Sequence, residues 1–435
     1  MAIDKRKTKI EIRNSEDRQP QPPSSIQDPV KIVINAVSAK LGGAVSYLAG
    51  LLQHLPPPES GYRFFVFLPG ETAKLLPGVR GNIELCALSS KSADGWRRLW
   101  WEQTTLRHFL RREKVDLLFS TANFAMVRCP VRQILLVRNA LYFSKIYQDM
   151  FLGRHGLRYR LAFAFRRWMI LRSVRCADVV MTPTQAMLDN LAQFAKFDRR
   201  KALVNYYGAS LPSRPESSPP RAPQPCPPWG GGSTAPNTIR LIYVSLYGEH
   251  KNLSTLLKAM LLLNRDGGRK FLLRTTMDPG WEFISGMVTC EGDLALAQDP
   301  EVSPWIQILG PVGREAALEV YREGDIFVFP ALCESFGQPM AEAMARGLPI
   351  VASDTAVNRE VCAGAAVYFS PLSAEELALQ VKAMTRDPEL MRKLGMLGRE
   401  RAATEFRWDR HVQRILQCSG AAKQENPQRR GANVQ

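Results

Sequence analysis

Residues 325–354 read DIFVFPALCESFGQPMAEAMARGLPIVASD. The unbroken apolar run IFVF suits a parallel strand buried on both faces. It leads through a polar loop containing Gly337 and Pro339 into an alanine-rich stretch. Pro339 fits a first helical position, where a missing N–H costs the helix nothing. A second apolar run, LPIVASD, follows. Strand, loop, helix and strand in this order are the unit of a parallel sheet covered by helices. The free N–H groups at such a helix start sit at the positive end of the helix dipole and can hold an anion.

The same alternation extends outward. On the C-terminal side come AEELALQVKAMTRD and PELMRKLGMLGRERAATEF, both with helical spacing. On the N-terminal side lie the strand IRLIYVSL from residue 239, the helix KNLSTLLKAMLLL, the strands KFLLRTT and WIQILG, and the helix REAALEVYREG. An earlier series begins with VKIVINAV at residues 30–37, followed by SAKLGG and the helix AVSYLAGLLQHL, which Pro56, Pro57 and Pro58 stop. It continues through the strands YRFFVFL, VDLLFS, RQILLV and ADVVMTP. Between the two series, residues 211–238 are so rich in Pro, Ser and Gly that a linker is expected. The division is therefore a disordered segment at 1–29, an α/β domain at 30–210, the linker at 211–238, a second α/β domain at 239–405, a terminal helix at 406–418 and a disordered tail at 419–435.

A chain of 435 residues with 45% hydrophobic and 23% charged residues has ordinary globular composition and room for two or three cores. Its 58 Lys and Arg against 41 Asp and Glu leave +17, which favours an anionic partner: a phosphorylated substrate, a membrane surface or nucleic acid. No zinc-finger or RNP-type motif supports nucleic acid, and none is expected as a partner. The eight cysteines lack zinc-site spacing and disulfide-scaffold density, which suits a reducing compartment. The first 25 residues hold no signal-peptide apolar stretch, and LAFAFRRWMIL is broken by arginines short of the ~20 residues that span a bilayer. A cytoplasmic location is expected. FLGRHGLRYRLAFAFRRWMILRSVRCAD carries Arg154, Arg158, Arg160, Arg166, Arg167, Arg172 and Arg175 with no acid before Asp178. It reads as a basic amphipathic helix able to rest on anionic headgroups at the inner face of a membrane, or equally as a helix that covers the sheet. WRRLWWEQTTLRHFLRREK repeats the mixture.

Glu334 and Glu342 flank the loop of the opening segment. On one continuous helix they would lie roughly 12 Å apart. Gly337 and Pro339 instead imply a folded-back loop, from which both carboxylates can accept hydrogen bonds from the hydroxyls of one extended ligand, a sugar or a ribose. In YVSLYGEHKNLSTLLKA, Lys251 precedes a helix that Asn252 could cap. An ammonium beside free backbone amides can neutralise a leaving diphosphate without a metal. Gly42 and Gly43 let the backbone approach a ligand, but the pattern is not the GxGxxG of a nicotinamide or flavin site. Asn123, Arg138 and Asn139 lie just past strands, where open α/β sheets gather ligands. Cys333 has no neighbouring histidine and reads as a small buried residue.

With these residues in view, ESFGQPMAEAMARGLPIVASD resembles the E-x7-E signature of the family 4 glycosyltransferases. The resemblance extends over most of residues 30–418, including GPVGREAALEVYREGDIFVFP and FRWDRHVQRIL. It implies an α/β GT-B fold of two Rossmann-like parallel-sheet domains facing a central cleft, with the helix at 406–418 crossing back to the first domain. The implied activity is metal-independent, retaining transfer of a hexose from a nucleoside diphosphate sugar to a hydroxyl of a carbohydrate or lipid-linked acceptor, with no cofactor beyond the donor substrate. It assigns Glu334 to the donor sugar, Glu342 to the ribose hydroxyls, Lys251 to the diphosphate, and Phe336, Gly337 and Gln338 to backbone contacts with the donor. Gly42 and Gly43 would face the donor phosphates and the acceptor. Three departures stand out. Ser245 and Leu246 occupy the usual Gly-Arg pair; Arg359 stands for the proline before Glu360, itself read as a local structural contact; and the usual first-domain histidine is missing, since His108 and His155 fall on helical segments. The missing Gly-Arg arginine and the unusual linker leave one alternative, a non-catalytic relative that binds nucleotide sugars or glycolipids at the membrane surface; a nucleotide-sugar epimerase of the same fold is a further one.

Overall fold

The first sheet is fully parallel and contains β1 (Val30–Asn35), β2 (Tyr62–Pro69), β3 (Ile83–Leu88), β4 (Leu117–Ser120), β5 (Arg132–Leu136), β6 (Val179–Thr182) and β7 (Ala202–Val204), in the order β3-β2-β1-β4-β5-β6-β7. The second, also parallel, contains β8 (Thr238–Tyr243), β9 (Lys270–Thr275), β10 (Ile306–Ile308), β11 (Ile326–Phe329), β12 (Ile350–Ser353) and β13 (Ala366–Phe369), in the order β10-β9-β8-β11-β12-β13. This is a computed structural model and describes residues 28–40, 42–76, 78–89, 95–209, 238–265, 268–284 and 286–429. The expected N-terminal segment, apart from residues 28 and 29, and the linker up to residue 237 lie outside the described residues.

Both sheets are wound alike. The first strand of each is central, the next two extend to one side and the remainder to the other. Each therefore has a switch point, β1/β4 in one and β8/β11 in the other, where the connections part and leave a crevice at the carboxyl ends of the strands. The central strands are buried on both faces, as in IFVF of β11 and LLFS of β4, which explains their continuous apolar sequence. Three strands that the apolar pattern did not reveal, β3, β7 and β13, lie at sheet edges. Edge strands need only partial burial, and all three residues of β7 are half-buried.

The terminal helix spans Trp408–Arg429, so it runs beyond the expected 406–418 into the segment read as a tail. Ala421, Ala422, Lys423 and Gln424 are good helix formers and continue it past Gly420. Its first turn packs on the first domain. A Cβ on Gly50 or Gly208 would collide with the Trp408 ring, so both positions require glycine. His411 is fully buried there: its Nδ1–H donates to Tyr206 O at 2.9 Å and its Nε2 accepts from the Tyr47 hydroxyl at 2.9 Å. Burial lowers its pKa to about 4, which keeps the ring neutral.

Candidate functional site

The switch point of the second sheet brings Lys251 and Glu334 together. After β8 the chain forms a one-turn helix, Glu249–Lys251, before the longer helix Leu253–Asn264. Asn252 stands between them with a left-handed φ of 57°. It does not cap the following helix. Its Nδ2 donates to Pro330 O at 3.1 Å and Pro371 O at 2.7 Å, and its Oδ1 accepts from Thr255 Oγ1 at 2.8 Å. Two more bonds fix this turn, one to the loop after β11 and one to the end of β8. Leu332 N donates to His250 O at 2.8 Å, and the buried Tyr243 hydroxyl donates to Lys251 O at 2.9 Å. The Lys251 ammonium thereby forms an ion pair with the Glu334 carboxylate, 83 positions away in sequence, with the side chains only 15% and 13% exposed. His250 is held neutral by burial and by the adjacent Lys251 charge.

The loop carrying Glu334 is gripped from both domains. Thr184 Oγ1 of the first domain donates to Ser335 O at 2.8 Å, and Gln338 Nε2 donates to Gly208 O at 2.9 Å. Phe336 is buried against the rings of Tyr207 at 5.1 Å and Phe406 at 5.2 Å, so its side chain is a packing element. Gly337 has φ 78°, and a Cβ there would strike Met340, which is why the helix Gln338–Ala345 starts on a glycine. Glu342, one turn along, accepts from the Tyr321 hydroxyl at 3.1 Å. Burial holds its carboxyl above the usual range, partly offset by Arg314 and Arg346. Arg314 also reaches across the cleft, its Nη1 donating to Ser46 O at 3.4 Å. Cys333 is buried, and burial pushes its thiol up to about 12, which leaves it inert as a nucleophile at neutral pH.

On the opposite wall, Gly42 has φ 57° and a Cβ on it would lie 2.5 Å from Leu246 Cδ1. Gly43 opens the helix Gly43–Gln53 with nothing within 4 Å of a Cβ, so only Gly42 is sterically required. Asn123 and Asn139 turn their side chains to local work. Asn123 Oδ1 accepts from Arg138 N at 2.9 Å and Asn139 N at 3.2 Å, and Asn139 Oδ1 accepts from Leu141 N at 3.2 Å. The Arg138 guanidinium lies 5.5 Å from the ring of Tyr47, on the helix Gly43–Gln53 of the same domain.

Two contacts were not legible as such in the sequence. Glu360 is no local contact. Its carboxylate accepts from Gln185 N and Ala186 N, each at 2.7 Å, and from the Tyr206 hydroxyl at 3.0 Å, so it caps a first-domain helix from the second domain. Glu249, which no local motif marks, meets His155 and Tyr147 of the first domain. His155 does not sit within a helix but between the turn Leu152–Arg154 and the helix Leu157–Cys176. Among the described residues, no group of His, Cys, Asp or Glu is arranged to hold a metal ion.

Two Rossmann-like domains closing on a Lys–Glu pair, with an E-x7-E loop at the second switch point, define a sugar transferase of the GT-B class. The sequence matches Glycosyltransferase Family 4 over residues 41–211 and Glycosyl transferases group 1 over residues 233–401, and the chain belongs to the family 4, group 1 glycosyltransferases. It is 27% identical over 171 residues to O-antigen chain mannosyltransferase B of Escherichia coli, a match spanning 39% of this chain and 42% of that protein. Sucrose-phosphate synthase (tll1590) from Thermosynechococcus elongatus superposes with a TM-score of 0.66 at 16% identity, covering 91% of this chain and 99% of the other. Anabaena Alr3699/HepE in complex with UDP-glucose gives 0.64 at 15% identity, covering 90% and 99%. These two structures share the fold.

Proposed function

We propose that this chain moves a hexose from a nucleoside diphosphate sugar to a hydroxyl of a sugar or lipid-linked acceptor, with retention at the anomeric carbon and without a metal ion. The observation that carries this is the Lys251–Glu334 pair at the second switch point. Lys251, with the amides at the start of the helix Gln338–Ala345, neutralises charge growing on the departing diphosphate. Glu334 faces the sugar and Glu342 the ribose hydroxyls. The acceptor attacks the face that the diphosphate leaves, so no protein nucleophile is needed. A nucleotide-sugar donor agrees with the UDP-glucose bound by the Anabaena relative.

A membrane-borne acceptor is supported by the helix Leu157–Cys176. Its Phe163, Ile170 and Val174 are buried, while Leu157, Leu161, Phe165 and Trp168 recur at helical spacing on the opposite face and are 40–68% exposed. Arg158, Arg160, Arg166, Arg172 and Arg175 are exposed beside them. Apolar side chains set among arginines suit an anionic headgroup layer. No helix among the described residues is long and apolar enough to cross a membrane. We place the enzyme at the inner membrane face, working on the cytoplasmic side.

The test is release of nucleoside diphosphate from UDP-, GDP- and ADP-sugars with carbohydrate and lipid-linked acceptors present. Transfer that is abolished in Glu334→Ala agrees with the proposal. Leu246, apolar where a phosphate-binding arginine is usual, favours a second reading, a non-catalytic nucleotide-sugar binder. Donor binding without turnover on any acceptor would establish that reading instead.

A further inference from the structure

The turn that carries Lys251 is held from the opposite domain through one carboxylate. Glu249, two residues before Lys251 in the same helical turn, is 5% exposed. Its Oε1 accepts from Val288 N of its own domain at 2.7 Å. Its Oε2 accepts from the Tyr147 hydroxyl at 3.1 Å and from His155 Nε2–H at 3.0 Å, both in the first domain. The clamp is itself braced. Tyr159 places its hydroxyl 2.9 Å from that of Tyr147 and stacks on the His155 ring at 3.9 Å, while Arg154 Nη2 donates to Val288 O at 3.1 Å. Leu332, two residues before Glu334, packs into the same cluster with Tyr147, Phe151 and Phe163.

A buried carboxylate is stable only while its hydrogen bonds are made. When the domains part, Glu249 loses both Oε2 partners and keeps only Val288 N. It must then turn toward water, which draws on the Glu249 end of the short turn while Tyr243 and Leu332 hold its other end. We propose that Glu249 is a positioning residue: clamped by His155 and Tyr147 of the opposite domain, it couples closure of the cleft to the placement of Lys251. This rests on the reading of Lys251 as the donor-diphosphate contact. It makes the diphosphate site complete only in the closed form, so that the leaving group is stabilised only once the cleft has shut.

The experiment compares binding of UDP, GDP and ADP with that of uridine, guanosine and adenosine in the full chain. Variants are Glu249→Gln, which keeps an acceptor for Val288 N, His155→Gln and Tyr147→Phe, each alone and with Lys251→Ala. The preferred nucleoside diphosphate is expected to bind about tenfold more weakly to Glu249→Gln. Its nucleoside should bind unchanged, and Glu249→Gln should add no loss in the Lys251→Ala background. Hydrogen exchange at amides 249–252 should quicken in the same variants. A residue with a merely structural role would weaken nucleoside and diphosphate alike, additively with Lys251→Ala, and that result overturns the proposal. Should Glu249→Gln fail to fold, His155→Gln and Tyr147→Phe carry the same comparison from the other side of the clamp. Wild-type protein that binds none of the six compounds would overturn the donor-site reading and this proposal with it, an outcome distinct from normal wild-type binding without a selective loss.

Discussion

Leu246 and Gly42 meet across the cleft, the first on the loop after β8 and the second at the entry to the helix Gly43–Gln53, so closely that a Cβ on Gly42 would lie 2.5 Å from Leu246 Cδ1. Where the family resemblance leads one to expect a cation reaching toward phosphate, this chain has an apolar contact that seals one domain against the other. Gly42→Ala should be destabilised in two separable ways. Its φ of 57° with ψ −138° is a backbone conformation open essentially to glycine and costs an L-residue about 1–3 kcal/mol, and its methyl group collides with Leu246. Leu246→Ala in the same chain should restore the second part and not the first. Unfolding midpoints of the two single variants and the double variant measure this; strict additivity would rule out the contact.

The Lys251–Glu334 pair should separate stability from function. Removing one partner of a buried pair leaves an uncompensated charge, so Lys251→Met should lose about 3–5 kcal/mol. Combining it with Glu334→Gln removes both charges and should regain most of that stability. Donor turnover should stay absent in the double variant. Denaturant unfolding beside a diphosphate-release assay tests both halves.

Two buried groups should give the stability profile opposing slopes below neutrality. Burial lowers His411 from 6.5 to about 4, so the folded state binds fewer protons in that interval. Its contribution is full above pH 6.5 and is lost as pH falls through 4, amounting to about 3 kcal/mol at most. Burial raises Asp293, which accepts from the Tyr247 hydroxyl at 2.6 Å, from 3.8 to about 6. Here the folded state binds more protons, so stability falls as pH rises from about 4 to about 6. Asp293→Asn should steepen the net gain in stability from pH 4 to pH 6, and His411→Gln should reverse or flatten it. Urea unfolding across that range distinguishes the two.

Membrane contact should follow the exposed face of the helix Leu157–Cys176. The full chain should sediment with vesicles containing anionic lipid, less so in high salt or with zwitterionic vesicles. Leu161→Asp and Trp168→Asp should release it with little change in unfolding midpoint, because both side chains face solvent. Unchanged binding by both variants would exclude this face.

Much of the fold was legible because the central strands of both sheets are buried on both sides and so spell continuous apolar runs. The edge strands are only partly buried: β3 carries Glu84 within its run, and β7 and β13 are apolar but only three and four residues long, too short to stand out as strands. In the site, Lys251, Glu334 and Glu342 stand in local patterns that a single stretch of sequence displays. Asn252 was misread because a helix-capping asparagine and a left-handed asparagine that braces a neighbouring loop look the same in sequence. The terminal helix outran its expected end because Gly420 reads as a stop only until the helix formers behind it are weighed. Glu249 with His155, and Glu360 with Gln185, left no trace, since each pair joins residues far apart in the chain and only domain closure brings them together.

The most direct measurement of the central claim is a thermal-shift titration of the purified chain with UDP, GDP, ADP and their common sugar conjugates, beside Glu342→Ala, because a ligand that binds only the native state must raise its unfolding midpoint. The account predicts that one nucleotide and its sugar conjugate raise the midpoint of the wild type and that Glu342→Ala, folded, loses the response. A folded wild type that none of them shifts would contradict it.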